Sequence, residues 1–331
     1  MLLVNYEHQL NTDLTPQYIT KLRDEFNDAL RVLSLPKHPT YLYEPISYVF
    51  SGEGKRLRPI LLYITGDSLG ATEKDLKYAG IAVELLHNFT LVHDDIMDQD
   101  DLRHGQHTIH KKWDESTAIL AGDGIYVMSL SMIAKVQNHP LEVIGTFNDA
   151  ALIVCEGQAY DKQYEYDTNI TLDEYLIMVE KKTGWLIGLC TELGGILGNQ
   201  QLETIQSLKK FGTKLGTAFQ IQDDMLEITA NEKNMGKSLG SDLTRGKQTI
   251  LSILAREKNQ KDWQNLNSNI LEIDRSIKIQ KEFLEANGIL KKADQMIQSY
   301  IDQAIDTLKY IPDPCNSRLL QFTKLILNRD H

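Results

Sequence analysis

Apolar residues recur along this chain in steps of three and four. Between Lys77 and Asp98 they fall at Tyr78, Ile81, Leu85, Phe89, Val92 and Ile96, one stripe on an α-helix. The same texture predicts helices over Ser116 to Val136, Leu141 to Tyr166, Leu172 to Leu197, Gln201 to Ile228, Ser241 to Arg256 and Trp263 to Leu308. No stretch alternates with the period of two expected of a half-buried strand. All eight prolines lie before Leu141 or after Ile311, so the long interior lacks the strongest helix breaker. Short breaks punctuate it at His139-Pro140, Asp167-Thr168-Asn169, Gly198-Asn199-Gln200 and Phe283 to Gly288. Length alone would allow about two domains, but no linker or repeat divides the chain. The pattern predicts an all-α protein: a single large antiparallel helical bundle over residues 1–331 around a central cavity.

Charge narrows the chemistry. Lys and Arg number 35 against 46 Asp and Glu, a net charge of -11, which argues against a general nucleic-acid binder and invites cations. Cys155, Cys190 and Cys315 stand at unrelated spacings and suggest neither a disulfide framework nor a thiolate metal site. A reducing cytoplasm is expected. The first residues lack the basic start and apolar stretch of a signal peptide, and no apolar run reads as a bilayer span, so a soluble protein is expected.

Two acidic sets interrupt apolar helical segments. Asp94 and Asp98 are four apart, with Asp95 between them; Asp223 and Glu227 repeat that spacing, with Asp224 between. Carboxylates at i and i+4 share a helix face and repel by about 0.2–0.5 kcal/mol unless something offsets them. A divalent cation would do so, and Mg2+ takes one or two carboxylates together with substrate phosphates. A solvated acidic helix end explains either set equally well alone. Two sets far apart in sequence can instead face each other across a bundle and hold metal ions between them.

Basic residues supply the other half. Lys55, Arg56 and Arg58 lie in a turn opened by Gly54, just before a helix starting near Pro59, where phosphate could sit. A surface basic turn is the plainer alternative. Lys182 and Thr183 precede Gly184 and Gly188, whose small side chains suit either a ligand or close helix packing. Gly236 to Lys247, just after the second acidic set, reads as a phosphate-covering loop or as a flexible connection.

Together these residues resemble the trans-prenyl diphosphate synthases, or polyprenyl synthetases, over nearly the whole chain. The first aspartate-rich motif of that family matches at Asp94, Asp95 and Asp98, the second at Asp223 and Asp224, and the basic motif at Gly54 to Pro59. Shorter matches occur at Ala121 to Asp123, Glu156 to Gln158, Lys182-Thr183, Phe219-Gln220 and residues 309–323. The resemblance implies a homodimer that condenses isopentenyl diphosphate with an allylic prenyl diphosphate. It implies that Asp94, Asp98 and Asp223 coordinate a magnesium cluster on the allylic diphosphate, with Arg103, Lys182, Lys237 and Lys247 assisting. Asp95 and Asp224 belong to the same metal motifs. Lys55, Arg58 and His87 are implied at the isopentenyl diphosphate, and His87 falls close to the Asp94 direction on an ideal helical wheel. Thr183 and Gln220 are implied to face the allylic cation through their oxygens.

Two positions depart from the family pattern. His104 stands where a second arginine usually follows Arg103 and lacks arginine's fork. Glu227 replaces the usual last aspartate of the second motif and can still bind through water. Phe89, five residues before Asp94, and its neighbour Thr90 occupy the positions that limit product length in the family. The pattern is most like a geranylgeranyl diphosphate synthase, with farnesyl and longer products as alternatives. An ideal wheel points Phe89 away from Asp94 and Thr90 nearer to it. A terpene cyclase would have little need of Lys55, Arg58 and His87, and a noncatalytic regulatory subunit typically loses an acidic motif.

Overall fold

The computed structural model describes residues 14–52, 54–229, 247–268 and 273–327. Four helices open the chain: α1 (Pro16–Arg31), α2 (Thr40–Ser51), α3 (Leu57–Ser68) and α4 (Glu73–Met97). A hairpin of β1 (Leu102–Arg103) and β2 (Gln106–His107) leads to α5 (Ile109–Lys112), α6 (Glu115–Ile133) and α7 (Pro140–Tyr164). Next come α8 (Leu172–Val179), a π-helical turn (Glu180–Gly184), α9 (Trp185–Leu197) and α10 (Leu202–Thr229). The chain continues in α11 (Ile250–Ser268), α12 (Ile273–Ala286), α13 (Ile289–Thr307) and α14 (Cys315–Leu327). The fold is all-α, as the periodicity predicts.

Local chemistry fixes the helix starts. Thr72 accepts from the Asp75 N–H at the head of α4, Asp114 from the Thr117 N–H at α6, and Thr171 with Glu174 forms a capping box at α8. Pro140 occupies the first turn of α7, where a missing N–H costs nothing.

Four expectations need correction. Leu172 to Leu197 is not one regular helix, because a π turn at Glu180–Gly184 joins α8 to α9. Ser241 to Arg256 is not helical throughout: Lys247 to Thr249 are non-helical, α11 starts at Ile250, and it kinks at Asn259 (φ -158°, ψ 87°). Residues 241–246 of that stretch lie outside the described residues. The hairpin at Leu102 to His107 is too short for a period of two to register. Finally, α6 is long and apolar enough to cross a membrane by length and composition. It packs instead on α4 and α2, with Ala118, Ala121 and Ile125 in the core.

The buried apolar residues form two clusters. One gathers α1 to α7, α9, α14, the end of α13 and the first half of α10 through Leu215; the other gathers α8, α11, α12, the first half of α13 and the second half of α10 from Ala218. The rod α8–α9 crosses from one cluster to the other at the π turn, and α10 crosses beside it. Gly188 lets these rods approach: a Cβ there would collide with the Thr213 hydroxyl on α10. Close helix packing is therefore the role of this small residue.

Candidate active site

The polar groups gather at the seam between the two clusters. Near the end of α4, Asp94 lies 3.3 Å from the Lys182 ammonium in the π turn, and Lys182 donates to Asp161 of α7 at 2.6 Å. Burial works against the Lys182 charge, but Asp94 and Asp161 outweigh it and hold its pKa above the ordinary value. Asp98, capping α4, is flanked by two ammonium groups at 3.4 Å, Lys162 of α7 and Lys247 ahead of α11. Lys162 also donates to the Met97 carbonyl at 3.1 Å.

The next residue carries the chain of contacts to α10. The Thr183 hydroxyl donates to Gln220 Oε1 at 2.9 Å, one turn before Asp223 and Asp224. Thus Asp94, Lys182, Thr183 and Gln220 bridge the first acidic set to the second. The π turn makes this bridge, since such bulges re-aim side chains and occur often at functional sites. Gly157 on α7 makes room for it, because a Cβ there would run into the Lys182 backbone.

Within each acidic pair the two aspartates part company. Asp95 is buried and is gripped by Arg103, whose Nε donates at 2.8 Å and whose Nη2 also reaches it. Asp224 accepts from Tyr175, Gln220 and the Ile250 N–H. Asp94 and Asp98, with side chains 19% and 14% exposed, both face lysines, and two of these, Lys182 and Lys247, also approach Asp161 of α7. Asp223 is half-buried and Glu227 is buried at 8% exposure.

The basic turn also divides. Arg56, in the left-handed region (φ 51°), turns inward to Glu84 Oε1 at 2.6 Å, Asn27 Oδ1 at 2.8 Å and the Gly52 carbonyl at 2.7 Å. Lys55 is exposed, and Arg58 lies 3.0 Å from His87 Nε2. Burial, then the charges of Arg58, Arg103 and Arg56, holds His87 well below the ordinary imidazole value. A guanidinium can only donate, so Nε2 is the acceptor and the His87 proton sits on Nδ1. That neutral imidazole supports stability that is intact above the ordinary pKa of 6.5 and lost as pH falls toward the depressed folded value. The melting temperature of the unliganded protein is accordingly expected to drop between pH 7 and 5, and to drop less steeply in His87→Gln; equal slopes in thermal unfolding would contradict it.

His104 and Gly105 form the two-residue hairpin turn after Arg103, with φ of 50° and 77°, as a type I′ turn requires. His104 is exposed there. Phe89 packs between α4 and α6, its ring 4.8 Å from His93 and 5.1 Å from Tyr126, and Thr90 donates to the His87 carbonyl at 2.8 Å. Lys237 lies outside the described residues. Sequence reasoning missed Asp161, Lys162 and Tyr175. Only Asp161 left a signal, an acid one helical turn beyond Gly157.

Among the described residues no three His, Cys, Asp or Glu side chains converge closely enough to hold a metal ion unaided. The acidic sets carry hard oxygen donors on separate helices, the ligand type that Mg2+ takes together with substrate phosphates.

The polyprenyl synthetase family model matches residues 39–286. The geranylgeranyl diphosphate synthase of Methanosarcina mazei is 36% identical over 299 residues, covering 88% of this chain and 91% of its own. That of Sulfolobus acidocaldarius is 36% identical over 304 residues, covering 89% and 91%. The crystal structure of the Pyrococcus horikoshii geranylgeranyl pyrophosphate synthetase superposes with a TM-score of 0.85 at 32% identity, over 94% of this chain and 96% of that one. The chain belongs to the polyprenyl synthetase family. It is a trans-prenyltransferase.

Proposed function

We propose that this enzyme condenses isopentenyl diphosphate with an allylic prenyl diphosphate by Mg2+-dependent ionisation, condensation and elimination, yielding geranylgeranyl diphosphate. The observation that carries the reading is the bridge from Asp94 through Lys182 and Thr183 to Gln220, which unites both acidic sets in one polar seam. Asp94, Asp98 and Asp223 would hold Mg2+, with Glu227 one turn further on contributing through water. Bound there, Mg2+ would polarise the diphosphate oxygens and take up charge on the departing group. Lys182, Lys247 and Arg103 bind that allylic diphosphate, and Lys182 and Lys247 exchange carboxylate partners for phosphate oxygens as it arrives. Lys237 is assigned with them from the sequence alone.

Lys55 and Arg58 bind the diphosphate of isopentenyl diphosphate. His87 offers its Nδ1–H to the same group, and His104 reaches it from the hairpin as a weaker substitute for arginine. Thr183 and Gln220 turn oxygen dipoles toward the allylic cation. The released diphosphate then takes the proton lost in elimination.

Phe89 limits the product, as the ring wedged against His93 and Tyr126 would block a longer prenyl tail. Phe89→Ala is expected to lengthen the product by at least one five-carbon unit in chain-length analysis, and an unchanged product would remove Phe89 from this role. Ile119, Leu120 and Val127 leave α6 with an exposed apolar face, at 46%, 47% and 60% exposure, which a second copy of the chain would cover. We assign the enzyme to the cytoplasm as a soluble homodimer, in keeping with its free cysteines and the exposed apolar face of α6.

Incubating the purified protein with Mg2+, isopentenyl diphosphate and each short allylic diphosphate, then weighing the products, tests the reading. Geranylgeranyl diphosphate is the expected product. A farnesyl or longer product would correct the chain length, cyclic hydrocarbons would favour a cyclase, and no diphosphate release would leave a regulatory subunit.

A further inference from the structure

Behind the second acidic set the hydrogen bonds run in one direction. Tyr175 of α8, 1% exposed, donates its hydroxyl to Asp224 Oδ2 at 2.6 Å. Gln220 Nε2 donates to Asp224 Oδ1 at 3.0 Å, while Gln220 Oε1 accepts from Thr183 at 2.9 Å. The Ile250 N–H, opening α11 three residues after Lys247, donates to Asp224 Oδ2 at 3.2 Å. An ionised carboxylate only accepts, so Asp224 dictates which end of the Gln220 amide it faces. The amino end must turn to Asp224 and the carbonyl end to Thr183. Thr183 then commits its single proton to Gln220 and keeps its remaining oxygen lone pairs.

Burial first, and then the Asp224 charge, push the Tyr175 phenol well above its ordinary pKa, so it stays a donor. Three donors already occupy most of the roughly four acceptor positions of a carboxylate. Asp224 is thereby better placed to orient neighbours than to bind a cation.

We propose that Tyr175 is a positioning residue: by holding Asp224 it fixes Gln220 and Thr183 so that oxygen lone pairs, rather than protons, face the developing allylic cation. This rests on the assignment of Thr183 and Gln220 to the cation. Asp224 acts as the anchor of this chain and not as a metal ligand. The same carboxylate ties down the start of α11, keeping Lys247 beside Asp98.

Tyr175→Phe keeps the ring and deletes only the hydroxyl. It is expected to lower kcat about tenfold or more, with both KM values and the Mg2+ concentration for half-maximal rate within about twofold of the parent. Calorimetric binding of inorganic diphosphate with Mg2+ should likewise be unchanged. Asp224→Asn, which allows Gln220 to flip, should lose at least as much kcat, and adding Tyr175→Phe to it should cost little more.

An unchanged kcat in Tyr175→Phe with only a lower melting temperature would reduce the tyrosine to core packing and overturn the proposal. So would weakened Mg2+–diphosphate binding with kcat preserved at saturation, which would make Asp224 a metal ligand. Should Tyr175→Phe not fold, Asp224→Asn decides between the same outcomes. Failure of the parent enzyme to release diphosphate would count against the proposed function instead, so the two are separable.

Discussion

Alanine at position 94 is expected to lower kcat roughly a thousandfold, about 4 kcal/mol in barrier height, while the melting temperature holds. Asp94 keeps 19% side-chain exposure and lies 3.3 Å from Lys182, whose neighbour Thr183 reaches Gln220 of the second acidic segment. Its carboxylate contributes little to folding, because Lys182 retains Asp161 at 2.6 Å once Asp94 is gone. On the proposed assignment, what would be lost is a hard oxygen ligand where charge accumulates on the departing diphosphate, and interactions of that kind supply several kcal/mol. Steady-state rates across a Mg2+ titration, with thermal unfolding beside them, separate the two effects. Near-parental kcat at saturating Mg2+ would remove Asp94 from the ionising machinery.

Arg56→Met is expected to do the opposite, destabilising the fold by about 3–5 kcal/mol while sparing the chemistry of molecules that remain folded. The Arg56 and Glu84 side chains are each 5% exposed and meet at 2.6 Å, so removing one leaves an uncompensated charge in the interior. Asn27 and the Gly52 carbonyl lose their donor as well. Arg56→Met with Glu84→Leu should recover most of the loss, since replacing a whole buried pair is far milder than halving it. Denaturant midpoints of the two variants check this. A loss in kcat larger than the loss in stability would return Arg56 to the phosphate site.

The sequence carried the helices and the two acidic sets clearly, because both rest on spacing. Asp94 and Asp98 share a face at any register of a regular helix, and the stripe from Tyr78 to Ile96 places that helix whatever packs on it. Adjacent residues are a different matter. Asp95 and Asp224 sit about 100° around their helices from Asp94 and Asp223, and which neighbour turns to the cavity depends on Arg103 and Tyr175, distant in sequence. In the same way, Lys55, Arg56 and Arg58 form one basic run on paper. Only the left-handed conformation at Arg56 and the acid at Glu84 separate a buried ion pair from Lys55 and Arg58, the residues proposed to bind phosphate. The π turn escaped because one added residue shifts an apolar stripe too little to be read from Leu172 to Leu197. Tyr175 looked like any aromatic core residue.

That widened turn absorbs one residue of the rod it interrupts. Deleting one residue from Glu180 to Gly184 would let the backbone close into ordinary α-helix while α9 kept its register with α8, because the extra residue is held in the bulge itself. Leu186, Leu189 and Leu193 would stay in the core, but Lys182 and Thr183 could no longer point at α4 and α10 at once. A one-residue gap in this stretch of a related chain should therefore mark a rod that still packs but has lost the bridge.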